Sequence, residues 1–167
     1  MGELETQRER VPNPGGGERE VALAFLDFAR HSVLKKLDGL DEEQVRRRLV
    51  VSDTTLLGLV RHLTDGERYW FGHVLTGDPT HAEVDFSMDL PASTSAAQVV
   101  ADYRAAIVQS DRNLAALGFD DPTPVAHLWD DAPWTVRWVV AHMTSEVARH
   151  AGHADILREQ IDQVTGR

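Results

Sequence analysis

The stretch AHMTSEVARHAGHADILRE, residues 141–159, reads as one long helix near the end of the chain. With 3.6 residues per turn, one stripe along this helix mixes ionisable and apolar side chains. The ionisable members are His142, Glu146, His150 and His153, and the apolar members include Val139, Met143, Leu157 and Ile161. Ionisable groups on a buried helix face are costly unless they are paired or bind a metal. The stripe is therefore the first candidate for a functional site.

Apolar periodicity predicts three further long helices before this one. The four predicted spans are residues 18–38, a second helix from Ser52, Asp53 or Thr54 to Thr76, a third from Ser93 or Ser95 to Leu117, and a fourth from Thr135 to Gln163. A short polar helix is expected at residues 41–48. No alternating strand pattern is evident, so residues 77–93 and 118–134 are predicted to be loops. These elements predict an all-α fold, a four-helix bundle.

Length and composition restrict the class of protein. The 167 residues suit one domain, and we expect a tail at residues 1–17 and the bundle at residues 18–163. The net charge of −10 argues against a nucleic-acid partner. No run of 18 apolar residues and no apolar leader are present, so we expect no membrane association and a cytoplasmic location.

The chain contains no cysteine. Disulfides and zinc–thiolate sites are therefore excluded, and any metal must be held by histidine and carboxylate side chains. Any thiol chemistry must use a thiol that a second molecule brings to the protein.

Glu146 and His150 lie four residues apart, which places their side chains on the same face of a helix. Both could reach one divalent ion, and a third ligand would have to come from another helix. His31, His62 and His73 lie on predicted helices and are the candidates, whereas His81 and His127 lie in predicted loops. The alternative is a plain helical dimer whose polar stripe pairs internally without a metal.

Two segments resemble the signature segments of the DinB-like superfamily. They are TTLLGLVRHLTDGERYWFGHVL, residues 54–75, and WTVRWVVAHMTSEVARHAGHADILRE, residues 134–159. The resemblance covers most of residues 10–162 and is strongest to an actinobacterial subfamily of unknown function. It implies a four-helix bundle with a metal site between the second and fourth long helices.

The same resemblance implies a particular ligand set. His62 matches the ligand on the second helix, and Glu146 and His150 match the two ligands on the last helix. Many members of the superfamily have histidine where this chain has Glu146, but the related mycothiol-dependent maleylpyruvate isomerases use a His, Glu, His set. Those isomerases carry an additional C-terminal domain, which we do not expect in this chain.

These observations predict a metal-dependent enzyme that acts on a small molecule. Three protein ligands leave an open position on the ion, and one Glu leaves a net charge that one further anion would neutralise. Zinc is favoured, although nickel and iron accept the same ligands. The resemblance implies a thiol such as mycothiol or bacillithiol as cosubstrate, hence an S-transferase or isomerase that uses a metal-bound thiolate, in a homodimer. The alternatives are a hydrolase that uses metal-bound hydroxide and a non-catalytic binding protein.

Four other residues carry more specific expectations. His153, one turn beyond His150, is predicted either to act as a general acid or base or to make a supporting hydrogen bond. Glu67, on the apolar face of the second helix, is expected to orient a ligand or to neutralise an arginine of another helix. Trp129 and Trp134 are expected to pack in the core or to line a substrate entrance.

Overall fold

A computed structural model describes residues 9–126 and 132–166. The described residues form five α-helices, which are α1 (Glu18–Leu34), α2 (Glu42–Val45), α3 (Leu56–Gly66), α4 (Ala96–Ala115) and α5 (Val136–Asp162). Two strands, β1 (Pro122–Ala126) and β2 (Pro133–Thr135), form an antiparallel pair. Short 3₁₀ turns occupy Lys35–Leu37 and Pro79–His81. The all-α class is thus confirmed, apart from the small sheet.

Polar side chains cap the N-termini of α3, α4 and α5. Ser95 and Thr135 accept hydrogen bonds from backbone N–H groups in the first turns of α4 and α5, as expected from the sequence. The predicted cap of the second long helix is wrong, because Thr55 rather than Ser52, Asp53 or Thr54 accepts the N–H of Gly58.

The predicted second long helix changes its winding along its length. It is α-helical only to Gly66, and Glu67–Val74 continue it as a π-helix. The Glu67 carboxylate lies at the start of this segment and is fully buried. It accepts two hydrogen bonds from the guanidinium of Arg30 on α1, at 2.8 and 2.7 Å. Of the two roles expected for Glu67, the structure therefore supports neutralisation of an arginine.

The prediction that all of residues 118–134 form a loop is wrong. Pro122 pairs with Thr135 and Ala126 with Pro133 across the β1–β2 pair. The sequence pattern hides these strands because they are short and rich in proline, which confines them to a sheet edge. Thr123 and Trp134 are buried, so the pair places Trp134 against the protein core at the start of α5.

The helices pack around one apolar core. α1 packs chiefly against α5, while α3 and its π-helical continuation pack against α4. Fully buried side chains of this core include Leu26, Val33, Leu57, Leu59, Val60, Phe71, Val74, Tyr103, Val139 and Val147. Because α3 and α5 both contribute to it, side chains on their adjoining faces meet. In the described part of the chain, no helix combines the length and apolarity that a membrane crossing requires.

Candidate active site

His62 of α3 and His150 of α5 contact each other where these two helices adjoin. Their ring centroids are 4.9 Å apart and the rings are in edge-to-face contact. His62 is half-buried, and His150 is only 8% exposed. Of the three candidates for a third ligand, His62 is the one that the structure brings to the stripe on α5.

A backbone carbonyl fixes the orientation of His62. The Nδ1 atom of His62 lies 2.7 Å from the carbonyl oxygen of Phe86. Because a carbonyl oxygen only accepts, Nδ1 carries the hydrogen and donates it, so the lone pair of the neutral ring lies on Nε2. A metal-ligating histidine usually donates its other N–H group in this way.

Phe86 adopts an uncommon backbone conformation at this contact. Its φ angle is +50°, in the left-handed region that residues with a Cβ atom rarely occupy. The Phe86 ring lies 6.0 Å from the His62 ring and 5.5 Å from the ring of Tyr69. The backbone of Phe86 therefore contacts His62, and its ring lies beside His62 and Tyr69.

His150 is held in its neutral form. Burial, and then the neighbouring His62, His153 and Arg149, lower the pKa of His150 to about 4. Neutral imidazole is the form that binds a metal ion. The Nε2 atom of His150 lies 3.9 Å from Oε2 of Glu146, one turn earlier on α5.

Glu146 has a partner on its own helix. Its carboxylate forms an ion pair with Arg149, three residues later, and its side chain is 27% exposed. The carboxylate on this stripe is therefore paired and only partly buried. Arg149 supplies the positive charge, and partial exposure lowers the cost of desolvation.

The three expected ligands approach one another without converging completely. Across residues 9–126 and 132–166, no three histidine or acidic side chains are arranged closely enough to hold a metal ion. The two imidazoles nevertheless suit a metal site, because His62 donates Nδ1–H to a backbone carbonyl and the pKa of His150 is lowered by burial. Glu146 lies beside His150 but directs its carboxylate to Arg149.

His153 extends the site along α5. Its Nδ1 atom lies 3.3 Å from Nδ1 of His150, so one of these nitrogens donates to the other. The His153 ring is exposed to solvent. This position is compatible with both roles expected for His153, proton transfer and a supporting hydrogen bond.

The other candidate histidines lie elsewhere. His31 is 62% exposed and its Nε2 atom lies 3.1 Å from Glu9 of the N-terminal segment. His73 donates its Nδ1–H group to the carbonyl oxygen of Asp78, at 2.7 Å. His127 and Trp129 lie outside the described residues.

Aromatic rings line the surface from His62 toward the start of α5. Beyond Phe86 and Tyr69, the ring series continues through Trp70, Trp134, Trp138 and His142. The Trp138 and His142 rings stack with centroids 4.9 Å apart. Trp134 packs in the core, which was one of the two roles expected for it. The sequence reasoning missed Trp138 and Phe86, although the four-residue spacing of Trp134, Trp138 and His142 is readable in the sequence.

Comparison with known proteins gives one family. A model of the mycothiol-S-transferase family matches residues 21–163 of this chain. The match includes every residue of the site just described, and it confirms the DinB-like resemblance. No curated protein matches the chain.

Proposed function

Because the chain belongs to the mycothiol-S-transferase family, we propose that it joins mycothiol through its sulfur to an electrophilic small molecule, with the help of a divalent metal ion. The observation that carries this proposal is the contact between His62 and His150. Two imidazoles from different helices meet there, beside the Glu146 carboxylate, in a chain that has no thiol of its own.

The proposed ligands are His62, Glu146 and His150, on a bundle in which α3 and α5 adjoin. When bound, a divalent ion lowers the pKa of a thiol and so raises its thiolate fraction. Zinc suits this ligand set, as do nickel and iron. Glu146 would exchange its ion pair with Arg149 for the metal ion, and the Phe86 carbonyl would keep His62 oriented.

In the proposed reaction, the thiol loses its proton and its sulfur forms a bond to an electrophilic carbon of the second substrate. The bond from that carbon to its leaving group breaks, and the leaving group keeps the electron pair and takes up a proton. His153 is exposed and lies next to His150, so we assign it this proton transfer. Imidazole is the side chain best suited to proton transfer near neutral pH.

Metal analysis of the purified protein tests the ligand set. We expect about one divalent ion per chain, and loss of most of it in His62→Ala, Glu146→Ala and His150→Ala. His73→Ala is the matched control, because His73 also donates Nδ1–H to a backbone carbonyl at 2.7 Å but contacts Asp78 instead. Equal metal contents in His62→Ala and His73→Ala would remove His62 from the ligand set.

Thiol consumption tests the reaction. The metal-loaded protein should consume mycothiol in the presence of suitable electrophiles, and His153→Ala should lower kcat by about 10²–10⁴-fold without losing metal. Tight mycothiol binding with no consumption across a broad panel of electrophiles would instead identify a binding protein. Turnover of esters or amides without any thiol would identify a hydrolase.

A further inference from the structure

A cleft opens beside His153, the neighbour of His150 on α5. Its volume is about 260 Å³, and it is lined by Val50, Ser52, Thr54, His153, Ile156 and Leu157. His153 belongs both to this lining and to the candidate active site, because its Nδ1 atom lies 3.3 Å from that of His150. The cleft is therefore continuous with the place where the proposed reaction occurs.

The lining suits a ligand without charge. None of its six residues carries a carboxylate, an ammonium or a guanidinium group. The hydroxyl groups of Ser52 and Thr54 lie 2.9 Å apart, and one of them donates a hydrogen bond to the other. The charged neighbours Arg48 and Asp53 pair with each other at 2.7 Å.

Exposed apolar side chains at the rim are otherwise unexplained. Ile156 is 55% exposed and Val50 is 38% exposed, whereas Leu157 at the base of the cleft is buried. Exposed aliphatic groups around a concave surface gain free energy when an apolar ligand covers them. At about 30 Å³ for each water-sized group, the cleft holds roughly eight or nine non-hydrogen atoms.

We propose that this cleft binds the electrophilic second substrate, and that this substrate carries a small, uncharged, aliphatic group. The inference rests on the proposed function, because a transferase needs a second binding surface beside the one for its thiol. Occupation of the cleft places the aliphatic group against Ile156 and Leu157. The electrophilic carbon then lies toward His153 and the imidazole pair.

Direct binding tests the cleft without any turnover. The protein as purified, with no thiol added, is titrated with hexan-1-ol and followed through backbone amide signals in NMR spectra. We expect saturable shifts at Val50, Ile156 and Leu157, and an affinity at least tenfold weaker in Ile156→Asp. Val108→Asp is the matched control, since Val108 is 50% exposed on α4, outside the lining. Equal affinity of the wild type and Ile156→Asp would overturn the proposal.

Kinetics then test the link to the reaction. For mycothiol and N-alkyl chloroacetamides of increasing alkyl length, KM should fall by up to about fourfold per added methylene until the cleft is filled. The dependence on length should vanish in Ile156→Asp and persist in Val108→Asp, since only Ile156 belongs to the lining. Normal thiol consumption with no length dependence in the wild type would overturn the cleft assignment but leave the proposed function standing.

Two other outcomes separate the remaining possibilities. Saturable hexan-1-ol binding at the cleft with no thiol consumption by any acceptor would overturn the proposed function, while it would support the preference of the cleft for uncharged aliphatic ligands. Analytical ultracentrifugation could show a dimer that dissociates in Ile156→Asp but not in Val108→Asp. That result would overturn the substrate assignment. In that case a second copy of the chain covers the cleft.

Discussion

The backbone of Phe86 is strained, and its carbonyl group orients His62, a proposed metal ligand. Its φ of +50° aims its carbonyl oxygen at Nδ1 of His62, at 2.7 Å. Proline cannot adopt this angle, because its ring fixes φ near −65°. Glycine adopts it without strain. Substitutions at Phe86 can therefore separate the effect of the backbone from the effect of the ring.

We predict that Phe86→Pro weakens zinc binding by about 10–100-fold, the usual cost of losing a group that orients a metal ligand. Phe86→Gly should retain most of the affinity, because its carbonyl can stay in place. Zinc titration against a competing chelator measures the affinity, and imidazole ¹⁵N shifts report the tautomer of His62. If the proline and glycine variants bind zinc equally well, the carbonyl does not orient His62.

Arg149 competes with a metal ion for Glu146. The ion pair with Arg149 must open before the carboxylate binds a cation, and a nearby guanidinium also repels that cation. We predict that Arg149→Ala binds zinc several-fold more tightly than the wild type in a chelator competition. Arg47→Ala is the control, since Arg47 forms a similar exposed pair with Glu43 at 3.5 Å. Weaker zinc binding in Arg149→Ala would mean that Arg149 holds Glu146 in its binding position.

The sequence indicated which of these side chains adjoin, but not all of their hydrogen-bond partners. Helical spacing placed Glu146 and His150 together, and the family resemblance selected His62 from three candidates. The spacing of Glu146 and Arg149 was also readable, because residues three apart on a helix are neighbours. The Phe86 carbonyl was not predictable, since 24 positions of chain separate it from His62 and side-chain patterns do not report a loop carbonyl.

At the scale of the elements, a buried ion pair holds the π-helical segment against α1. Arg30 is 3% exposed and Glu67 is fully buried, and Arg30 also reaches Asp111 on α4 at 2.9 Å. One guanidinium therefore links three helical segments, α1, the π-helical segment and α4. Removing one member leaves the other charge buried without compensation, whereas removing both does not.

We predict that Arg30→Met lowers the free energy of unfolding by about 3–5 kcal/mol. The double variant Arg30→Met, Glu67→Met should recover most of this loss, because apolar side chains of similar size replace the pair. Urea denaturation followed by circular dichroism gives the values. A double variant as unstable as the single one would show that the link to Asp111, rather than the buried charge, dominates.

The elements differ in how far the sequence determines them. Helix starts at Ser95 and Thr135 followed from residue type, because a hydroxyl at the N-cap satisfies exposed N–H groups. The π-helical winding of Glu67–Val74 did not follow, since the apolar pattern of TDGERYWFGHVL fits an α-helix as well. The β1–β2 pair was missed because proline-rich strands of five and three residues offer little alternation.

For the whole molecule, buried histidines make stability depend on pH. Burial, and then Arg149, lower the pKa of His142, whose ring stacks on Trp138 and meets Trp70 at 4.5 Å. The unfolded chain keeps the ordinary histidine pKa of about 6.5. As the pH falls below that value, the unfolded state binds protons more readily than the folded state does. The stabilising contribution is thus complete above about pH 6.5 and is lost toward the lower folded-state pKa.

We predict that metal-free protein loses free energy of unfolding between about pH 7.5 and 5.5, and that His142→Gln loses less of it than the wild type does. His150 contributes in the same direction, because its pKa is also lowered, so the loss should shrink in His142→Gln without vanishing. His31→Gln is the control, since His31 is exposed and pairs with Glu9. Urea denaturation at both pH values in the presence of a chelator measures the difference. An equal loss in the wild type and His142→Gln would mean that the aromatic stack does not disfavour the protonated imidazole.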